Sequence, residues 1–270
     1  MMLTCLVTAK GAPGASVTAL ALTSAWPSPV MLAECDPAGG DLRAGLLAGL
    51  GQNRNLVNLA TAHRNATLTP QDLAQQLYSL DAPAHSRFVL PGLVDPMSAS
   101  ALDGLWEPLG FLLRDVRLPE AGKNQPLDVV ADCGRLEHRH LPWPLLQTAD
   151  LVLITVRSTM PSVMAAAPRV EHLRQALASR GGPAPALSAA LIDEGPYSAK
   201  DVATALGTDI AVRLPHDPAS VEDLVSGRRP RRFSRSSYMR AARACAANLT
   251  RSMAVRPRTL GAREGAGDVG

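Results

Sequence analysis

Leu3-Thr-Cys-Leu-Val-Thr-Ala-Lys10-Gly-Ala-Pro-Gly14-Ala-Ser16 opens the chain, and the apolar run Val17 to Trp26 follows it. Leu3 to Val7 is short, apolar and partly β-branched, and a Gly/Pro cluster bounds it. That pattern predicts a buried strand, a tight turn and then a helix. Such a turn lets backbone N–H groups converge on an anion at the helix N-terminus, and Gly11 and Gly14 supply the permissive backbone. Ser16 stands where a loop hydroxyl would ligate Mg²⁺. Pro13 has no N–H to contribute, and neither Ala12 nor Ala15 carries charge.

Working outward, Val30-Met-Leu-Ala-Glu34-Cys-Asp36-Pro-Ala-Gly-Gly-Asp41 predicts a second buried strand ending in acids and a glycine turn. Carboxylates at the C-terminal edge of a strand sit where open α/β sheets bind ligands. Asp36-Pro37 is equally suited to cap a helix over Leu42 to Leu50. Leu127-Asp128-Val-Val-Ala-Asp132-Cys-Gly134-Arg135 is a third strand with a carboxylate at its tip. An acid there holds Mg²⁺ through water, and the glycine lets the following loop approach a phosphate.

Between these, residues 53 to 80 predict two short helices with a start signal at Thr69-Pro70-Gln-Asp72. Phe88 to Leu90 is a short strand stopped by Pro91 and Gly92. Ala99 to Val116 is amphipathic and interrupted by Pro108, so it forms one kinked or two abutting helices. Further strands are expected over Leu151 to Val156, Ala186 to Ile192 and Ile210 to Leu214, and a long helix over Ser162 to Arg180 with Pro168 inside it. Ser236 to Val255 closes the sequence as a helix, with Tyr238, Ala242, Cys245, Leu249 and Met253 on one stripe. The alternation from Leu3 to Leu214 predicts an α/β fold: a doubly wound, mostly parallel sheet of about seven strands with helices on both faces.

The bulk composition agrees. With 3% aromatic residues the core is aliphatic, and 270 residues without a long polar linker are expected to form a single domain over residues 1–255, followed by a disordered Gly/Arg tail over 256–270. No run of 18 apolar residues and no signal-like N-terminus occur, so a cytoplasmic protein, peripheral at most on a membrane or nucleoid, is expected. Four scattered cysteines with no CxxC argue for buried reduced thiols, against zinc or iron–sulfur centres. From Ser226 onward eleven arginines against two acids give +9, which leaves −6 for the rest of a chain of net charge +3. That basic end is a candidate contact surface for DNA or anionic lipid. His216 beside Pro215 and Asp217 reads as a hydrogen-bonded structural residue rather than an acid/base catalyst, and no hydrolase elbow or H-E-x-x-H occurs.

The opening spacing resembles the deviant Walker A loop of the ParA/MinD superfamily, K-G-G-x-G-K-[ST], with Lys10, Gly11, Gly14 and Ser16 matching and Ala12 and Ala15 departing. The chain also resembles that family in an acidic D-x-D-P-x-G-like pattern at Glu34 and Asp36, in a Walker B-like Asp132 and in a terminal P-x-D loop at Pro215 and Asp217. The resemblance implies ATP or ADP with Mg²⁺ as ligands and a homodimer closed through the nucleotide face. It implies that Lys10 reaches the partner subunit's phosphates and Asp36 orients the attacking water. Residues 10 to 17, from Lys10 through Ala12, Pro13 and Ala15 to Val17, cradle the phosphates. Ser16 and Asp132 hold the metal, and Asp193, Pro215 and Asp217 lie at the base. The implied function is spatial positioning, as in partitioning, division-site or secretion and pilus-machinery placement, with an unidentified protein partner. Ala15 removes a charge-assisted contact of roughly 1.5 to 3 kcal/mol. A pseudo-ATPase scaffold of pilus or secretion assembly is therefore the alternative. A carboxylate-activating ligase fits poorly without the lysine.

Overall fold

The computed structural model of the chain describes residues 1–11, 14–120, 123–179 and 183–254. Ala12 and Pro13 of the opening loop and the predicted tail over 256–270 lie outside them.

Every residue of the first strand, β1 (Leu3–Thr8), is buried. Leu3, Cys5 and Val7 belong to one apolar core and Leu6 to another, because successive side chains of a strand face opposite sides. Left-handed Gly14 (φ 94°, ψ 33°) turns the chain into α1 (Ala15–Ala25). The far end of α1 is tied down where Trp26 Nε1 donates to Asp128 Oδ2 at 2.9 Å. β2 (Val30–Glu34) is likewise wholly buried. The stretch Leu42 to Leu50 forms only a 3-10 turn at Asp41–Ala44. Gly45 and Gly49 interrupt it, each costing about 1 kcal/mol in a helix.

Then come α2 (Leu56–Arg64), α3 (Pro70–Gln75) with its Thr69/Asp72 capping box, β3 (Tyr78–Ser79) and β4 (Arg87–Leu90). A 3-10 turn at Pro96–Leu102 precedes α4 (Trp106–Arg114); the break between them falls at residues 103–105, and Pro108, expected to interrupt the segment, lies in the first turn of α4. A hairpin of β5 (Arg117–Glu120) and β6 (Lys123–Pro126) precedes β7 (Asp128–Arg135). The chain continues through α5 (Trp143–Thr148), β8 (Leu151–Arg157), α6 (Met160–Ala178) and β9 (Ala186–Asp193). It ends with α7 (Ala199–Leu206), β10 (Ile210–Pro215), α8 (Pro218–Val225) and α9 (Ser237–Ala254).

Eight strands form one sheet in the order β10-β9-β8-β1-β7-β2-β4-β3, parallel throughout except for the edge pair β3/β4. The expectation of about seven strands missed β3, two residues long and too short to carry a period-2 pattern. One core lies between the sheet and α2 to α7, and the other lies beneath α1, α8 and α9. All four cysteines are buried and free. No helix among the described residues is long and apolar enough to cross a membrane.

Candidate functional site

β1 is hydrogen-bonded to β7 on one side and β8 on the other, and those neighbours connect in opposite directions across the sheet. That switch point splays the loops apart at the strands' C-terminal ends and opens a crevice there. Three acids meet at it because Asp132 of β7 lies opposite both Leu6 of β1 and Glu34 of β2 in the ladders.

Asp132 is 5% exposed. Burial pushes its carboxyl up to about 7; the Ser16 hydroxyl and the Gly134 N–H oppose that rise, and the charges of Asp36 and Glu34 add to it. Ser16, in the first turn of α1, thus stands near enough to the acid at the tip of β7 to lower its pKa, although the two residues are 116 positions apart in the sequence. Glu34 is also buried, and its two oxygens accept the N–H groups of Leu42 (3.1 Å) and Gly92 (3.2 Å). It acts as a brace for two loops. Asp36 accepts the N–H of Ala38 at 2.7 Å and lies against Gly134, where a Cβ would sit 2.3 Å from Oδ1. With φ at +74°, Gly134 adopts a backbone and a proximity that only glycine tolerates.

Two clefts flank the opening loop. One, about 270 Å³, is lined by Lys10, Gly11, Thr155, Arg157 and Ser162, and the exposed Lys10 stands at its edge. The other, about 210 Å³, is bounded by Gly14, Val17, Ile192, Pro215, Asp217 and Tyr238. Gly14 packs so closely on Ile192 that a Cβ would come within 2.9 Å of its Cδ1. Asp217 caps α8 by accepting from the Ser220 hydroxyl (2.7 Å) and N–H (3.0 Å), which holds its carboxyl below the usual range. Asp193 takes no part in the lining: its Oδ2 receives Arg213 Nε at 2.6 Å. A larger groove of about 470 Å³, lined by His63, Leu68, Phe111 and Val116, contains none of these groups and is mainly apolar. Chemistry favours the smaller clefts.

The structure thus brings Lys10, Gly11, Gly14, Ser16, Val17, Asp36, Asp132, Pro215 and Asp217 to one edge and leaves Asp193 on an ion pair beside it. Three contributors escaped the sequence reading. Arg157 joins the two clefts and pairs with Glu194 at 2.7 Å. Ile192 supplies the wall under Gly14. Arg135 lays its guanidinium against Gly11, Cζ lying 3.5 Å from where a Cβ would be. The available signal was an arginine directly after a strand-end Asp-x-Gly in a chain whose loop lacks its lysine.

The residues fit a magnesium–triphosphate on two counts: a left-handed glycine turn opens onto the first-turn amides of α1, which have no intrahelical acceptors, and the Ser16 hydroxyl already stands beside the Asp132 carboxylate. They depart on a third, since Ala15 presents a methyl group where an ammonium would neutralise phosphate charge.

The sequence matches no protein-family model and no curated protein. Solved structures do resemble the fold. The ParA family ATPase from Chlorobium tepidum TLS superposes with a TM-score of 0.67 at 15% identity, over 92% of this chain and 98% of that one. The septum site-determining protein MinD of Pyrococcus horikoshii OT3, complexed with Mg-ADP, gives 0.68 at 15% identity over 95% and 99%. The ATP complex of the D38A variant of Cyanothece McdA gives 0.63 at 16% over 92% and 96%. What this chain shares with them at such identities is the fold.

Proposed function

We propose that this chain is a ParA/MinD-like nucleotide-binding protein, with residues 1–255 acting as one domain that dimerises face to face when ATP and Mg²⁺ are bound. In this reading it serves as a cytoplasmic positioning factor for a partner, nucleoid or membrane. The observation that carries it is the placing of Ser16, at the head of α1, beside buried Asp132 at the tip of β7. Two distant parts of the sequence are folded together there into a hydroxyl and a carboxylate suited to a hydrated divalent cation.

Roles follow from position. Ser16 ligates the metal and Asp132 holds its outer shell. Gly11 and Gly14 keep the loop open for backbone N–H groups, and Lys10 contacts phosphate across the dimer. Asp36, set against Gly134, orients water. Pro215, Asp217 and Val17 border the base, and Arg213 keeps the Asp193 carboxylate engaged. A bound magnesium nucleotide supplies the polarised phosphoryl group, and hydrolysis then depends on charge neutralisation.

The missing ammonium of Ala15 favours a second reading, a scaffold that binds ATP with little or no turnover. Equilibrium binding of labelled ATP with Mg²⁺, followed by a phosphate-release assay, separates the two. Binding with release supports the switch, and binding alone supports the scaffold. Absence of binding at millimolar ATP removes both.

A further inference from the structure

A positive charge is missing from the opening loop, and β7, the strand paired with β1, ends in an arginine. We propose that Arg135 contacts the nucleotide's terminal phosphates in place of a loop lysine, an inference that rests on the nucleotide reading of that loop.

Four observations carry it. First, Gly134, at φ +74° with the Asp36 carboxylate against its Cα, redirects the chain as β7 ends. Second, the residues that follow Gly134 are fixed to the loop's own strand: Arg135 pairs with Thr8 of β1, and Leu136 N–H donates to Thr8 O at 2.9 Å. Third, the guanidinium lies beside Gly11, Cζ, Nε and Nη1 being 3.5, 3.6 and 3.7 Å from where a Cβ there would be. A methyl group at position 11 would pack directly on it.

Fourth, Arg135 is exposed, and among the described residues no carboxylate pairs with it. Two other arginines near the site have carboxylate partners, Arg157 in Glu194 and Arg169 in Glu137. Arg135 is therefore a cation with its charge uncommitted, held at the lip of the phosphate cradle. Its planar fork of N–H donors matches phosphate oxygens bidentately, which a single ammonium does not. It approaches from the β7 side, so the cradle keeps its cationic character although Ala15 is methyl.

The test uses the whole chain, mant-ATP with Mg²⁺, and AMP as the ligand lacking the outer phosphates. Arg135→Ala weakens mant-ATP about ten- to a hundred-fold, Arg135→Lys recovers part of the loss, and adding Ala15→Lys to Arg135→Ala restores binding. AMP affinity stays the same in all four proteins. If the wild type binds mant-ATP and Arg135→Ala binds it equally well, this inference is overturned and the nucleotide reading stands. A loss in Arg135→Ala that Ala15→Lys does not restore also overturns it, since the defect is then structural. If the wild type binds no mant-ATP, the nucleotide reading falls and this inference falls with it.

Discussion

A carboxyl group titrating near neutrality under a sheet is costly, and Asp132 makes that cost measurable. Its pKa is about 7 in the folded protein because burial disfavours the charge, against roughly 3.9 when unfolded. Between those values the native state keeps a proton that the unfolded chain has released, so stability falls as pH rises from about 4 to about 7 and stays low above. Three pKa steps correspond to on the order of 4 kcal/mol. Asp132→Asn, which cannot ionise, should raise the melting temperature of the chelator-treated protein by several degrees at pH 8. The advantage should shrink toward zero near pH 4. A variant equal to wild type at pH 8 would show that Asp132 is not strained by burial. Mg²⁺ should narrow the gap by stabilising the wild-type carboxylate.

At the scale of elements, the clefts are bordered by short helices whose starts are fixed by side chains. Asp217 is the cap of α8, which packs on α1. Its bond to Ser220 depresses its pKa, and the neighbouring His216 adds to that effect. The cap's contribution is thus fully present above the ordinary carboxylate pKa and lost as pH falls through the lowered one. Asp217→Ala should destabilise the protein by about 1 kcal/mol in urea unfolding at pH 7, with the difference vanishing in acid. Because Tyr238 has its phenol pKa raised by burial and then by the Asp217 charge, its absorbance titration should begin at lower pH in the variant. The same reasoning explains Glu34. Read from sequence as one of two switch-like acids, it is a brace whose oxygens hold the N–H groups of Leu42 and Gly92.

For the molecule as a whole, both faces of the sheet are covered, by α2 to α7 on one side and α1, α8 and α9 on the other. The C-terminal edge carrying the clefts is left for association. Lys10 is exposed there and, in the proposed dimer, its charge is used between subunits. With ATP and Mg²⁺, light scattering should report a dimer for the wild type and a monomer for Lys10→Ala, with both proteins equally stable by thermal melting. An unchanged dimer content would remove Lys10 from the interface.

What the amino-acid order alone determined is local: apolar runs bounded by Gly and Pro specify β1, β2, β7 and β8 and the helices between them, and strand-end acids mark the edge at which ligands bind. It placed the interruption of Ala99 to Val116 at Pro108, but the break falls at residues 103–105 and Pro108 lies in the first turn of α4, where the N–H it lacks would have no intrahelical acceptor. Only the tertiary structure decided strand order, and with it why Asp193 is drawn to Arg213 and that Arg135 lies beside Gly11. These contacts join residues from 20 to more than a hundred positions apart, so no period or spacing encodes them. Burial and charge act through distance in space, and that distance is set by which strands lie side by side.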